Sequence, residues 1–318
     1  MANGFHESAM RRATAPFPSG PASSAAARRT LPWLGLMVLL WGISWPATKL
    51  ALEVVPPLWL ATIRFGSAAL CLFAFTIARG SFRIPTRADW PIVASIGLFQ
   101  MTAFTGLGMI AMTKVDTSRA VLLAYTTPLW GVVANWLIFQ LKPSRRQIGA
   151  LAVGLAGVAL ICSPWELDWN APGVLVGSGL LLVAAMSWSV VILHIKRHRW
   201  DSSPLTLAPW QMLLAVVPLG GLAWCFEGPP TGIPVDARLL ELLLFIGPVA
   251  TSACFVISAE YGRRISTFAM SNLTLGVPLI GILASVVFLG SSISAPFAAG
   301  LVLVMGGMAV SALASKRH

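Results

Sequence analysis

The chain has 318 residues, of which 57% are hydrophobic and only 10% charged. A soluble domain carries about 25% charged residues and cannot hide this much apolar surface from water, so an ordinary soluble fold is excluded and lipid is the fitting solvent. The net charge of +11 falls in short basic clusters between apolar runs, as in loops beside anionic lipid, and no basic stripe interleaves with exposed aromatics, which excludes nucleic acid as a partner.

At about 30 residues for each span and its loop, residues 31–318 have room for nine or ten crossings. Residues 1–30, rich in Ala, Ser, Pro and Arg, read as a disordered cytosolic tail. Arg28-Arg29 faintly resembles a twin-arginine export signal, but the apolar run behind it is long enough to span and further spans follow. The first five spans read as 32–52, 57–77, 90–112, 119–139 and 148–162. The next five read as 173–194, 205–225, 239–258, 267–289 and 296–313.

With the amino terminus inside, 17 of the 22 basic residues fall on the cytosolic side. They are Arg11, Arg12, Arg28 and Arg29 in the tail, and Arg79, Arg83 and Arg87 after the second span. Lys142, Arg145 and Arg146 follow the fourth span, and Lys196, Arg197 and Arg199 the sixth. Arg263, Arg264, Lys316 and Arg317 complete the set. Such a bias predicts cytoplasmic termini at both ends.

Positions 150 apart match without gaps: Pro128 with Pro278, Gly131 with Gly281, Ser144 with Ser294, Gly157 with Gly307. Ser44-Trp45 echoes Ser187-Trp188, and Pro57-Leu58 echoes Pro204-Leu205, which sets Arg64 opposite Gln211. Five spans per half is an odd number, so the halves lie inverted, the arrangement in which transporters rock around a central site. The expected fold is therefore an all-α integral membrane protein of ten transmembrane helices. They form two inverted five-helix repeats, 31–163 and 172–315, around a central cavity.

Trp41-Gly42-Ile43-Ser44-Trp45-Pro46 with Lys49-Leu50-Ala51, then Pro56-Pro57 and Ile63-Arg64-Phe65, resembles the opening of an EamA-type module of the drug/metabolite transporter superfamily. Residues 120–160 and 269–310 resemble that module's closing helices. The resemblance implies ten helices around a cavity and transport of metabolites, amino acids and aromatic amino acids among them. One departure stands out: where the family often has an acid after helices 4 and 9, this chain has Gln140-Leu141-Lys142 and Leu289-Gly290-Ser291.

No Asp or Glu lies deep in a span, leaving His194 as the one candidate proton relay and favouring facilitation or exchange as the coupling. Arg64, about 10 Å below the outer face, is either a snorkelling charge or a clamp for a substrate carboxylate. Lys49 lies nearer the outer face and is a further substrate-contact candidate. Trp41 and Trp45 share one helix face, and with Trp188 they are either packing residues or a cavity wall. Gln100, Tyr125, Gln211 and Asn272 are polar groups in apolar runs that need a partner, a neighbouring helix or a ligand. These nine residues make the candidate substrate site, expected in the outer half of a cavity between spans 1, 2, 3, 4, 6 and 9. Pro46, Pro128, Pro248 and Pro278 interrupt spans and either kink them for packing or mark the binding region.

Cys71, Cys162, Cys225 and Cys254 each stand alone, so neither metal nor disulfide nor any cofactor is expected. No His-Glu-x-x-His, paired aspartates or Gly-x-Ser-x-Gly is present, so the chain does not read as an enzyme. A channel would favour rings of like polar groups. The reading is an exporter or exchanger of small organic metabolites in the inner (plasma) membrane, with amino acids bearing apolar or aromatic side chains first among substrates. Efflux of drugs or toxic compounds is the alternative, ahead of a channel or a membrane-embedded enzyme. Its partners are the solute and the bilayer, and it is a monomer or homodimer.

Overall fold

A computed structural model describes residues 24–140, 144–162, 173–262, 270 and 273–314. Asn272, Arg11, Arg12, Lys142, Arg263, Arg264, Lys316 and Arg317 lie outside the described residues. The described residues are helical throughout, without strands. Helix α1 spans Ser24–Ala51 and α2 Pro57–Ala78, with Pro57 at the first helical position, where a missing N–H costs nothing. Helix α3 spans Trp90–Met112. Helix α4 comes in two pieces, Thr117–Ala124 and Thr127–Phe139, and α5 spans Arg145–Cys162. Then follow α6, Gly173–Arg197, α7, Pro204–Glu227, and α8, Ala237–Tyr261. Last come α9, Gly276–Leu289, and α10, Ala295–Ala314.

Among these, α1 to α4 and α6 to α8 are long and apolar enough to cross a membrane, and α9 and α10 are shorter apolar helices. The start of α1 corrects the expected tail. Residues 24–30, Ser-Ala-Ala-Ala-Arg-Arg-Thr, continue the helix, because Ala and Arg are strong helix formers. The remainder of that tail, 1–23, lies outside the described residues.

Several local features recur 150 residues apart. The stretch Ser95–Phe104 of α3 and the stretch Phe245–Ala253 of α8 both wind in wide π turns. In each a threonine hydroxyl donates five residues back, Thr102 to the Gly97 carbonyl at 2.9 Å and Thr251 to the Ile246 carbonyl at 2.8 Å. The break in α4 at Tyr125-Thr126 has its counterpart at Leu275, ahead of α9, with Pro128 and Pro278 three residues on. Helices α4 and α9 both end in a left-handed residue, Gln140 at φ 55° and Gly290 at φ 65°. The next helices open alike: Ser144 Oγ accepts the Gln147 N–H and Ser294 Oγ the Phe297 N–H, both at 3.3 Å. Those hydroxyls satisfy N–H groups that have no partner inside the helix.

Packing follows the same order. Helix α1 packs on α8 and α9, while α6 packs on α3 and α4. Helix α2 lies against α7 and α8, α7 against α3, and α5 against α10. Two glycines let the wide stretches approach their neighbours' backbone. A Cβ on Gly97 would sit 2.9 Å from the Gln211 carbonyl oxygen of α7, and one on Gly247 3.1 Å from the Arg64 carbonyl oxygen of α2.

The α2–α7 pair is tied at both ends. At one end the Glu227 carboxylate accepts the Leu58 and Trp59 backbone N–H groups at 2.8 and 3.0 Å, and the Trp59 indole donates to the Gly228 carbonyl. An anion there also meets the positive end of the α2 dipole. At the other end Trp210 Nε1 donates to the Arg83 carbonyl at 2.9 Å. Nearby, Asp89 accepts from the Ser202 and Thr86 N–H groups, joining the loop after α2 to the loop after α6. Burial pushes the Asp89 carboxyl up, but the hydrogen bonds from Ser202 and Thr86 outweigh it and hold the group below the usual carboxylate range.

Candidate functional site

A cavity of about 180 Å³ lies between the two helix sets. That is below the roughly 300–1,000 Å³ of pockets for drug-sized ligands and suits a small metabolite. One wall comes from α1, α2 and α8. Helix α1 presents Trp41, Ser44, Trp45 and Thr48, spaced 0, 3, 4 and 7 and therefore on one face. Helix α2 adds Arg64 and Phe65, and α8 adds Ala250, Thr251 and Phe255 from and just beyond its wide stretch. The rest of the lining is mostly α3, with Gln100, Met101 and Phe104 inside its wide stretch, joined by Tyr125 at the break in α4, Trp188 on α6 and Met212 on α7.

Arg64 is half-buried, and its Nε donates to Thr251 Oγ1 at 2.9 Å. Among the described residues that line the cavity none is acidic. A guanidinium has five N–H donors, so one bond to a threonine leaves most of its capacity for a planar anion. Beside it runs a chain of rings. The Trp45 and Tyr125 centroids are 6.3 Å apart, Tyr125 and Trp188 6.1 Å, and Trp188 and Phe104 4.7 Å. These tilted and edge-on contacts are favourable pairings for aromatic quadrupoles, and they carry the aromatic surface across four helices.

Of the nine candidate residues, the fold brings Trp41, Trp45, Arg64, Gln100, Tyr125 and Trp188 to this one cavity. Lys49 does not line it. Its ammonium donates instead to the Met112 and Val115 carbonyls, capping the end of α3, where a cation meets unpaired carbonyls and the negative end of the dipole. Gln211 is fully buried behind the wall, and neither amide atom has a hydrogen-bond partner among the described residues. Asn272 lies outside the described residues. The expected contribution of α9 is replaced by α7 and α8, since no described residue of α9 lines the cavity. His194 lies away from it, with its ring 5.6 Å from that of His198.

Residues not singled out by sequence add to the site, among them Met101, Phe104, Thr105, Gly108, Met109, Met112, Met212, Thr251 and Phe255. Those on α3 recur at 101, 104, 105, 108, 109 and 112, a single helical face, and that periodicity was the available signal.

The EamA-like transporter family model matches residues 29–163 and again 175–313. The chain is 26% identical over 283 residues to the uncharacterized transporter YvbV of Bacillus subtilis (strain 168), covering 87% of this chain and 89% of that one. It is 25% identical over 284 residues to the "Probable amino-acid metabolite efflux pump" of Salmonella typhimurium (strain LT2), covering 87% and 92%. A solved crystal structure covers 89% of this chain and 96% of its own at a TM-score of 0.59 and 23% identity, a likeness of fold alone. With the family model matched twice over most of its length, the chain belongs to the EamA-like transporter family and is a multi-pass membrane transporter.

Proposed function

We propose that this transporter moves small organic acids or zwitterions with an apolar or aromatic body, amino acids among them, across the inner membrane as an exporter or exchanger. The observation that carries the reading is Arg64, a cation in a cavity with no acid among its described lining residues, beside a continuous aromatic surface. A carboxylate bonds the guanidinium while the body lies against the rings. The name of the Salmonella relative points the same way. Cationic drugs are disfavoured, since Arg64 repels them and no acid in the lining offsets it.

The architecture we propose is ten transmembrane helices in two inverted five-helix repeats, 31–163 and 172–315, with both termini cytoplasmic. The features recurring 150 residues apart support it, as does the exchange by which α1 packs on α8 and α9 while α6 packs on α3 and α4. Reporter fusions at Lys142 and Ser291 should fall on opposite sides of the membrane; the same side for both ends the inverted reading.

The functional test is flux in proteoliposomes. Counterflow of an aromatic amino acid should persist after a protonophore collapses the proton gradient, because no acid lines the cavity and His194 lies away from it. Arg64→Gln should reduce flux of acids far more than of their amides. An equal loss for both makes the charge structural.

A further inference from the structure

The apolar part of the cavity wall has an unusual make-up. Among the described lining residues none is Leu, Ile or Val, although these dominate the buried core elsewhere. Four of the chain's 11 methionines are there instead: Met101, Met109 and Met112 on one face of α3, and Met212 on α7. All four are nearly or fully shielded from solvent, between 0% and 4% exposed, so they are wall and not surface. Between them Gly108 also lines the cavity, and a Cβ placed there would meet nothing within 4 Å. Room is therefore open at Gly108, on the face of α3 that carries Met101, Met109 and Met112.

Branched aliphatics hold one shape, because their branching fixes the rotamer. Methionine has three rotatable bonds and a polarizable sulfur that contacts ring edges favourably, and it re-packs around differently shaped partners. A wall needing one fixed contour would be built as the core is built. Here the fixed elements are the other lining groups: Arg64 is held by Thr251, and the rings of Tyr125, Trp188 and Phe104 brace one another.

We propose that the cavity is polyspecific, anchoring one carboxylate on Arg64 and admitting ring-bearing bodies of different shape, with Met101, Met109, Met112 and Met212 as the residues that set this breadth. The inference rests on the carboxylate reading above. It adds that the range of bodies is wide, and it names the side chains that make it so.

The test is ligand binding by isothermal titration calorimetry on the purified full-length protein. The probes are 3-phenylpropionate, indole-3-propionate and 1-naphthylacetate. Wild-type affinities for the three should agree within about five-fold, as expected of a wall that re-packs. Replacing all four methionines by leucine keeps volume and apolarity but fixes the contour. The variant should spread the three affinities by about ten-fold or more, keeping the best-fitting ring. If the quadruple variant is not monodisperse, Met109→Leu/Met112→Leu on α3 is read the same way.

An unchanged spread in a well-folded variant overturns the proposal, as does a wild type that already separates the three acids by more than that margin. Arg64→Gln keeps the two failures apart. If it abolishes binding of all three while the leucine variants change nothing, the anchor stands and the breadth is wrong. If binding survives it undiminished, or the wild type binds none of the three, the carboxylate reading falls and the inference with it.

Discussion

Arg64 on α2 and Gln211 on α7 occupy matching places. Each offers its carbonyl to the glycine of a wide-turned stretch, Gly247 in one case and Gly97 in the other. The backbones agree, yet the side chains do different work. Arg64 reaches the cavity and bonds Thr251, whereas the Gln211 amide is buried outside the lining with no partner among the described residues. The same division runs through the molecule. The wide turns, the breaks before Pro128 and Pro278 and the serine caps are shared, while the charges are not: Lys49 on α1 binds the end of α3, and Ile192, the corresponding position of α6, cannot. Helix geometry can be duplicated, but a site that holds an asymmetric molecule must have unlike poles.

Making the two positions alike tests this division. The largest effect is expected from Gln211→Arg, which puts an unpaired charge into a sealed position. A loss of about 3 kcal/mol or more should appear as failed insertion or a collapsed thermal transition. A normally stable variant would mean that position 211 communicates with the cavity.

Arg64→Gln equalises the pair in the opposite direction. Losing a charge-assisted contact should cost carboxylate ligands about 2 kcal/mol, roughly thirty-fold in affinity, and their amides much less. Gln211→Met should act oppositely on stability, raising it by about 1 kcal/mol in thermal unfolding, because two buried polar atoms no longer go unpaired. Trp45→Ala should weaken ligand affinity by about 1 kcal/mol, or several-fold, in the same calorimetric titration, since it removes one ring from the aromatic chain. The smallest effect belongs to the caps. Gln140 holds a left-handed conformation that Gly290 adopts freely, so Gln140→Gly should stabilise by about 0.5–1 kcal/mol while Gly290→Ala destabilises.

Most of the helix layout could be read from hydropathy, because each span is an apolar run closed by Pro, Gly or a basic cluster. The cavity was legible where its residues are odd in lipid. Arg64, Gln100, Tyr125 and the tryptophans stand out in an apolar run. Met109 and Phe255 do not, since a side chain that faces a ligand and one that faces a neighbouring helix are equally apolar. From sequence Lys49 reads as a substrate contact because its acceptors, the Met112 and Val115 carbonyls, lie more than 60 residues along the chain. The tie from Glu227 to the N–H groups of Leu58 and Trp59 leaves no trace in sequence for the same reason. The wide turns of α3 and α8 left no mark, since Gly97 and Gly247, which let them approach the Gln211 and Arg64 backbones, are ordinary small residues in an apolar run.

Those wide turns also work as a phase setting. Along an α-helix each residue advances the face by about 100°, so adding or dropping one residue swings everything beyond it by that angle. In α3 the stretch Ser95–Phe104 comes before Met109 and Met112, and in α8 Phe245–Ala253 comes before Phe255. The winding of these segments therefore decides which later side chains of α3 and α8 look inward, and a single-residue deletion in either would swing that helix's later lining residues out of the cavity while the lining from the other helices kept its place.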